Sequence, residues 1–418
     1  MNILIKKAKI IDKNSSFDGK TMDLLIEDGT ITQIAESIDK KDLSCIEKEG
    51  LHVSMGWVEL KADFCDPGME HKETIGSGLN AAAFGGYTHV GVLPVTDPVV
   101  DGKSQIQYIQ LKSNGHVTSA HPIGALTVGM NGENLSEMYD MYQNGVQLFS
   151  DDINPCHSGI MYRALLYSRN FGGTVVGFSK NHDIAGKGVV NEGIASTKTG
   201  LKADASIGEI IEIERNIRLV EYTNGNLHLT GVSTAEGVDL IRKAKAKGFN
   251  VTADVHAVNL IYNEEAVLGF DTNFKVLPPL RFENDRKALW KGLKDGTIDT
   301  IVTDHRPHNK EEKDIEFDLA AYGTIGLQTN YASLNIADEF ELGSVINALA
   351  HNSRTILGLD QQSIEIGTTA DLTLFQPEKE WKFKNDDIFS STHNTPYVEK
   401  LMKGFVVGVI NNGKLVSK

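Results

Sequence analysis

Between Gly56 and His305 the chain carries eight short apolar runs rich in β-branched residues, at 57–60, 89–94, 122–128, 146–149, 174–178, 227–232, 250–255 and 299–303. Runs this brief, bounded by turn residues, read as buried strands. Between most of them lie stretches with helical periodicity, such as 73–84 ending at Gly85-Gly86, 206–222, and 235–247 ending at Gly248. Eight strand–helix alternations predict an α/β fold, a (β/α)8 barrel of the TIM type in which each strand is buried and each helix covers it. A doubly wound open sheet is the alternative that the same alternation allows. The longest intervals, after 178 and after 255, leave room for insertions above the strand ends, where a barrel keeps its site.

The two ends of the chain differ from its middle. Residues 2–11, 23–27 and 30–35 read as strands with Asp28-Gly29 as a hairpin turn, and the tail repeats the idiom with apolar runs at 371–375 and 405–411 and a turn at Asn411-Asn412-Gly413. These predict one small β-sandwich-like domain built from both ends, 1–54 plus 363–418, around a barrel of 55–362.

A net charge of −15 over 418 residues argues against a general nucleic-acid or anionic-membrane binder. No apolar run approaches the roughly 20 residues of a membrane span, and the N-terminus has no signal-peptide pattern. Cys45, Cys65 and Cys156 have no C-x-x-C spacing, which suits a reducing compartment. A cytoplasmic protein with no nucleic-acid or membrane partner is expected.

In a barrel, chemistry stands just after the strands. Those positions hold Lys61, Asp63, Cys65 and Asp66; Val95, Thr96 and Asp97; Ser150, Asp151 and Asp152; Phe178, Lys180 and Asn181; Gly231 and Ser233; Asp254 and His256; and Asp304, His305 and His308. Thirteen His would be ample for a metal enzyme. Yet a hydrolytic zinc usually takes three ligands, largely His, and no H-x-H or H-E-x-x-H occurs in this chain. Only Asp304-His305-x-Pro307-His308 has that flavour. The other His, including His52, His89, His116 and His351, read as surface or hydrogen-bonded imidazoles.

Several stretches resemble dihydroorotase, a cyclic amidohydrolase of pyrimidine biosynthesis, in its longer form with a composite sheet domain. They include Asp66-Pro67-Gly68, Ala81-Ala82-Ala83-Phe84-Gly85-Gly86-Tyr87-Thr88, Pro94-Val95-Thr96-Asp97-Pro98, Ser150-Asp151-Asp152, Pro278-Pro279-Leu280-Arg281 and Thr303-Asp304-His305-Arg306-Pro307-His308. Gly367-Thr368-Thr369-Ala370-Asp371-Leu372 resembles the return to the sheet domain, and Asn394-Thr395-Pro396-Tyr397 the closing signature.

The resemblance implies a metal site whose four imidazoles fall here on Lys61, Asp63, Phe178 and Gly231. Two carboxylate positions survive: Asp151, and Asp304 as ligand and proton-shuttling base. Of three contacts to the substrate carboxylate, an Arg and an Asn fall on Cys65 and Val95, and His308 is kept. Losing a bidentate guanidinium leaves a buried carboxylate short of a paired donor.

Lys61 is expected to replace the metal by pairing with Asp304 and Asp151, so that no cofactor is bound. By family association, an inactive member would be a structural or regulatory partner of aspartate transcarbamoylase and a homo-oligomer. The alternative is an active cyclic amidohydrolase in which Asp63, Asp151 and Asp304 hold zinc or a harder divalent cation, with Asp304 as base. A third reading places a small ligand among Lys180, Asp254 and His256. Cys65 reads as packing.

Overall fold

The computed structural model describes residues 1–40 and 43–418. Its first strands are β1 (Ile3–Ile10), β2 (Thr21–Glu27), β3 (Thr30–Ala35), β4 (Ser44–Glu47) and β5 (His52–Met55). Then come β6 (Trp57–Ala62), β7 (Tyr87–Val92), β8 (Ser119–Pro122), β9 (Leu148–Ser150) and β10 (Thr174–Phe178). A short pair, β11 (Val190–Asn191) and β12 (Ala203–Asp204), lies in the insertion after β10. The series continues with β13 (Asn226–Thr230), β14 (Val251–His256), β15 (Thr300–Val302), β16 (Leu372–Lys382), β17 (Leu401–Asn411) and β18 (Lys414–Ser417).

Both chain ends enter one sheet, ordered β18-β17-β16-β5-β1-β2-β3, with β4 parallel to β1. Its hairpins turn where expected. Asp28 and Gly29 have φ of 49° and 78°, and Asn412 and Gly413 have 52° and 67°, the positive-φ pair that a two-residue hairpin needs.

Eight further strands form the parallel barrel. β6, β7 and β8 pair in one ladder and β9, β10, β13, β14 and β15 in another. Parallel bridges Gly124–Phe149 and Ala62–His305 join the two ladders into a closed ring. The open-sheet alternative is therefore excluded. Helices cover the strands as the periodicity requires: Ile75–Gly85, capped by the Thr74 side chain and ended by Gly86 at φ 98°, then Ile207–Thr223 and Ala235–Ala246.

One strand differs from the reading. The apolar run 122–128 leads past its strand, which is Ser119–Pro122. There the backbone pairing with β7 begins at Ser119, and Ile123 and Gly124 continue the barrel wall by donating to the Val92 and Leu148 carbonyls, while the rest of the apolar run, with Ala125 and Leu126 buried, follows the strand.

A polar cluster ties the composite sheet to the start of β6. The Gly56 N–H donates to the Asp371 carbonyl (2.8 Å), and the Asp371 carboxylate accepts from Arg354 (2.5 Å) and His89 (2.9 Å). His121 stands behind His89, its Nε2 at 2.9 Å from His89 Nδ1. Among the described residues, no helix is long and apolar enough to cross a membrane.

Candidate functional site

The strand ends bring five side chains together at the barrel mouth: Lys61, Asp152, His256, Asp304 and Arg306. Lys61 is the penultimate residue of β6 and is 3% exposed. Its ammonium lies 3.4 Å from Asp304 Oδ1 and 4.0 Å from Asp152 Oδ1, and it donates to His256 Nε2 at 3.2 Å. The Phe178 ring, with its centroid 5.2 Å away, closes another side of the ammonium through its negative π-face.

Arg306 supplies the second cation. Its guanidinium grips Asp152 with two parallel bonds, Nη1 to Oδ2 at 2.9 Å and Nη2 to Oδ1 at 2.6 Å. Nε also donates to Asp304 Oδ1 at 3.0 Å. Two cations thus face two carboxylates, the balance that makes burying four charges tolerable. Burial by itself would push the Asp304 carboxyl up, but the Arg306 and Lys61 cations beside it hold it well below the ordinary carboxylate range. Burial lowers His256 to about 4, so its imidazole is neutral and accepts the Lys61 proton at Nε2.

A fully buried carboxyl, Glu59, closes the seam between the first and last barrel strands. It accepts from the backbone N–H groups of Lys61 (2.8 Å) and Thr303 (2.9 Å), and burial raises it to about 8.

Asp151 departs from expectation. It accepts from the N–H groups of Leu126 and Thr127, both at 2.9 Å, and from the Thr127 hydroxyl at 2.5 Å, away from Lys61. Asp152 takes the expected place because its backbone, at φ 53°, turns the chain just past β9. Asp63 lies at the rim, with its carboxylate accepting from Cys65 N at 2.8 Å, and burial raises its carboxyl.

Gly231 is left-handed at φ 70°, and a Cβ there would meet His256, Phe178 and Pro278 at 3.1 Å. An imidazole does not fit that position as the mouth is built. The buried Cys65 thiol is pushed up by burial, which accords with packing. Val95 is half-buried in a small apolar cluster with Leu60 and Leu93.

The retained imidazoles are committed elsewhere. His305 accepts from Gly326 N at 3.2 Å and has its other nitrogen 3.5 Å from Glu73. His308 has its ring nitrogens at 2.9 Å from the Tyr322 carbonyl and 3.2 Å from Glu312. It borders a cleft of about 520 Å³ with Lys310, His393 and Asn394.

The proposed ligand trio separates as well. Lys180 pairs with Asp204 (2.9 Å), Asp254 with His228 (2.9 Å), and only His256 joins the mouth network.

A divalent metal does not fit this arrangement. Ammonium and guanidinium groups have no lone pair to offer, and both surviving mouth carboxylates are spent on them. Among the described residues, no three His, Cys, Asp or Glu side chains converge in a way that could hold a metal ion. Inside the barrel, the cavity lined by Lys61, Thr230 and Asp254 measures about 10 Å³, room for one water at most.

Arg306 was not singled out from the sequence as a site residue, and Asp152 stood among the strand-end positions without a role. Their usable signal was an Asp-Asp pair after one strand and an Arg two residues after Asp304.

The dihydro-orotase-like family matches residues 51–237 and the amidohydrolase family residues 194–416. A dihydroorotase of Geobacter sp. (strain M21) is 37% identical, with 100% of this chain and 99% of that protein covered. A dihydroorotase of Syntrophotalea carbinolica is 39% identical, with 99% of each covered. In fold the chain is similar to an L-hydantoinase (dihydropyrimidinase) from Arthrobacter aurescens, with a TM-score of 0.85 at 19% identity over 100% of this chain and 96% of that one. With full-length likeness to dihydroorotases on a closed barrel and a composite sheet, the chain belongs to the dihydroorotase family.

Proposed function

We propose that this chain is a non-catalytic dihydroorotase homologue, a cytoplasmic homo-oligomer that serves as a structural or regulatory partner of aspartate transcarbamoylase. The observation that supports the loss of catalysis is the pairing of Lys61 and Arg306 with Asp304. A base for ring-amide hydrolysis must be free to take a proton, and a carboxylate held far below its ordinary range by two cations is a poor acceptor. The partner is supported by the family resemblance.

The relatives named dihydroorotase favour the alternative of an active enzyme with a reduced carboxylate site. Against it, Asp151 is turned to Thr127 and Asp63 to Cys65, so the three carboxylates that reading needs do not meet.

Metal analysis of the purified protein, dihydroorotate turnover with zinc supplied, and affinity capture with the transcarbamoylase of the same organism test the proposal. The expected result is no bound zinc, no turnover and a stable complex. Turnover that depends on added metal defeats the non-catalytic reading, and absence of a complex defeats the partnership.

A further inference from the structure

We infer that Arg306 is the resident cation of the barrel mouth: its guanidinium masks a latent divalent-cation site between Asp152 and Asp304 and bolts the mouth shut. The key atom is Nη2, which stands 2.6 Å from Asp152 Oδ1 and 2.9 Å from Asp304 Oδ1, bridging two carboxylates that follow different strands. Lys61 reaches the same two oxygens from the other side, at 4.0 and 3.4 Å, but bridges neither as closely.

The backbone is arranged around this one side chain. Asp152 and Asp304 hold positive φ, 53° and 46°, which few non-glycine residues adopt without surrounding structure to enforce it. Gly323, at φ 113°, lies flat against Arg306, where a Cβ would come within 2.6 Å of the Arg306 Cβ. Arg306 is fixed at its backbone too, donating to the Thr324 carbonyl (3.0 Å) and accepting from Asn394 Nδ2 (2.9 Å). Three uncommon backbone positions therefore converge on one guanidinium.

Two carboxylates completed by waters are a sufficient ligand set for a hard divalent cation such as Mn2+. With Arg306 in place, that set is fully used, so wild-type protein has nothing to gain from metal. Removing the guanidinium leaves two buried carboxylates facing Lys61 alone and opens space beside them.

This inference rests on the reading of the mouth as metal-free, and Mn2+ distinguishes the two. The experiment compares wild type, Arg306→Ala and Arg306→Ala/Asp152→Asn by thermal melting and equilibrium dialysis, with and without MnCl2. Wild type is expected to bind no Mn2+ and keep its Tm. Arg306→Ala is expected to melt several degrees lower, to take up about one Mn2+ per chain, and to recover part of its Tm as the metal binds. Adding Asp152→Asn should abolish the uptake.

Arg306→Gln, which retains an amide donor and much of the volume without the charge, serves if the alanine variant does not fold, and the same gain of uptake is expected of it. Folded Arg306 variants that bind no Mn2+, while wild type is also metal-free, overturn this inference and leave the non-catalytic reading standing. Stoichiometric Mn2+ in the wild type overturns both.

Discussion

At the start of β6 a single carboxylate, Asp371, is held by one guanidinium and one imidazole; at its end, Asp152 and Asp304 share one guanidinium and one ammonium. Both clusters are buried, yet they differ in redundancy. Among the described residues Asp371 has Arg354 as its one Lys or Arg partner, and it joins the composite sheet to the barrel. At the mouth each carboxylate sees two cations, and the strands joined are already held by the barrel ladder. The lower cluster staples two layers, whereas the upper one balances charge in a place where the family resemblance implies a metal.

The largest effect should follow from breaking the staple. Asp371→Ala leaves Arg354 buried without its carboxylate and is expected to cost about 3–5 kcal/mol in urea unfolding. Lys61→Met at the mouth should cost less, about 1–3 kcal/mol, because Arg306 still pairs with Asp304. Equal losses from the two variants would erase the distinction in redundancy.

The third prediction uses pH. Burial, with help from His89 and Arg354, lowers His121 to about 3, below its ordinary value near 6.5, so the unfolded chain binds the proton first. Its contribution is complete above about pH 6.5 and fades as pH falls towards 3. Between pH 7 and pH 5 the loss should be about 1–2 kcal/mol. His121→Asn, still facing His89 with Arg354 and Asp371 behind it, should flatten that part of the stability profile. An unchanged slope would remove His121 from the account. The smallest effect concerns metal: EDTA or added zinc should leave the wild-type Tm where it was, and a clear shift would assign the mouth a bound ion.

Much of the fold was legible in the sequence because its signals are local. Asp28-Gly29 and Asn412-Gly413 mark their turns by residue type, and the short apolar runs mark strands. Ser119–Pro122 was misplaced because its own residues are weakly apolar and its pairing with β7 is not written in them. At the site, the ion pair between Lys61 and Asp304 could be anticipated from a cation and a carboxylate after neighbouring barrel strands. Choosing Asp151 over Asp152 could not succeed by alternation, since the strand ends at Ser150 and the left-handed turn at Asp152 redirects the next side chain.

Thirteen His and a family resemblance set the terms of this protein, and residue identity alone determined that Lys61, Asp63, Phe178 and Gly231 offer no imidazole. Only the tertiary structure decided what fills the mouth instead. A long guanidinium can reach many partners, and its choice of Asp152 and Asp304 depends on a glycine at 323, a turn after β9 and the closure of β15 on β6. These features are distant in sequence and meet only when the barrel closes.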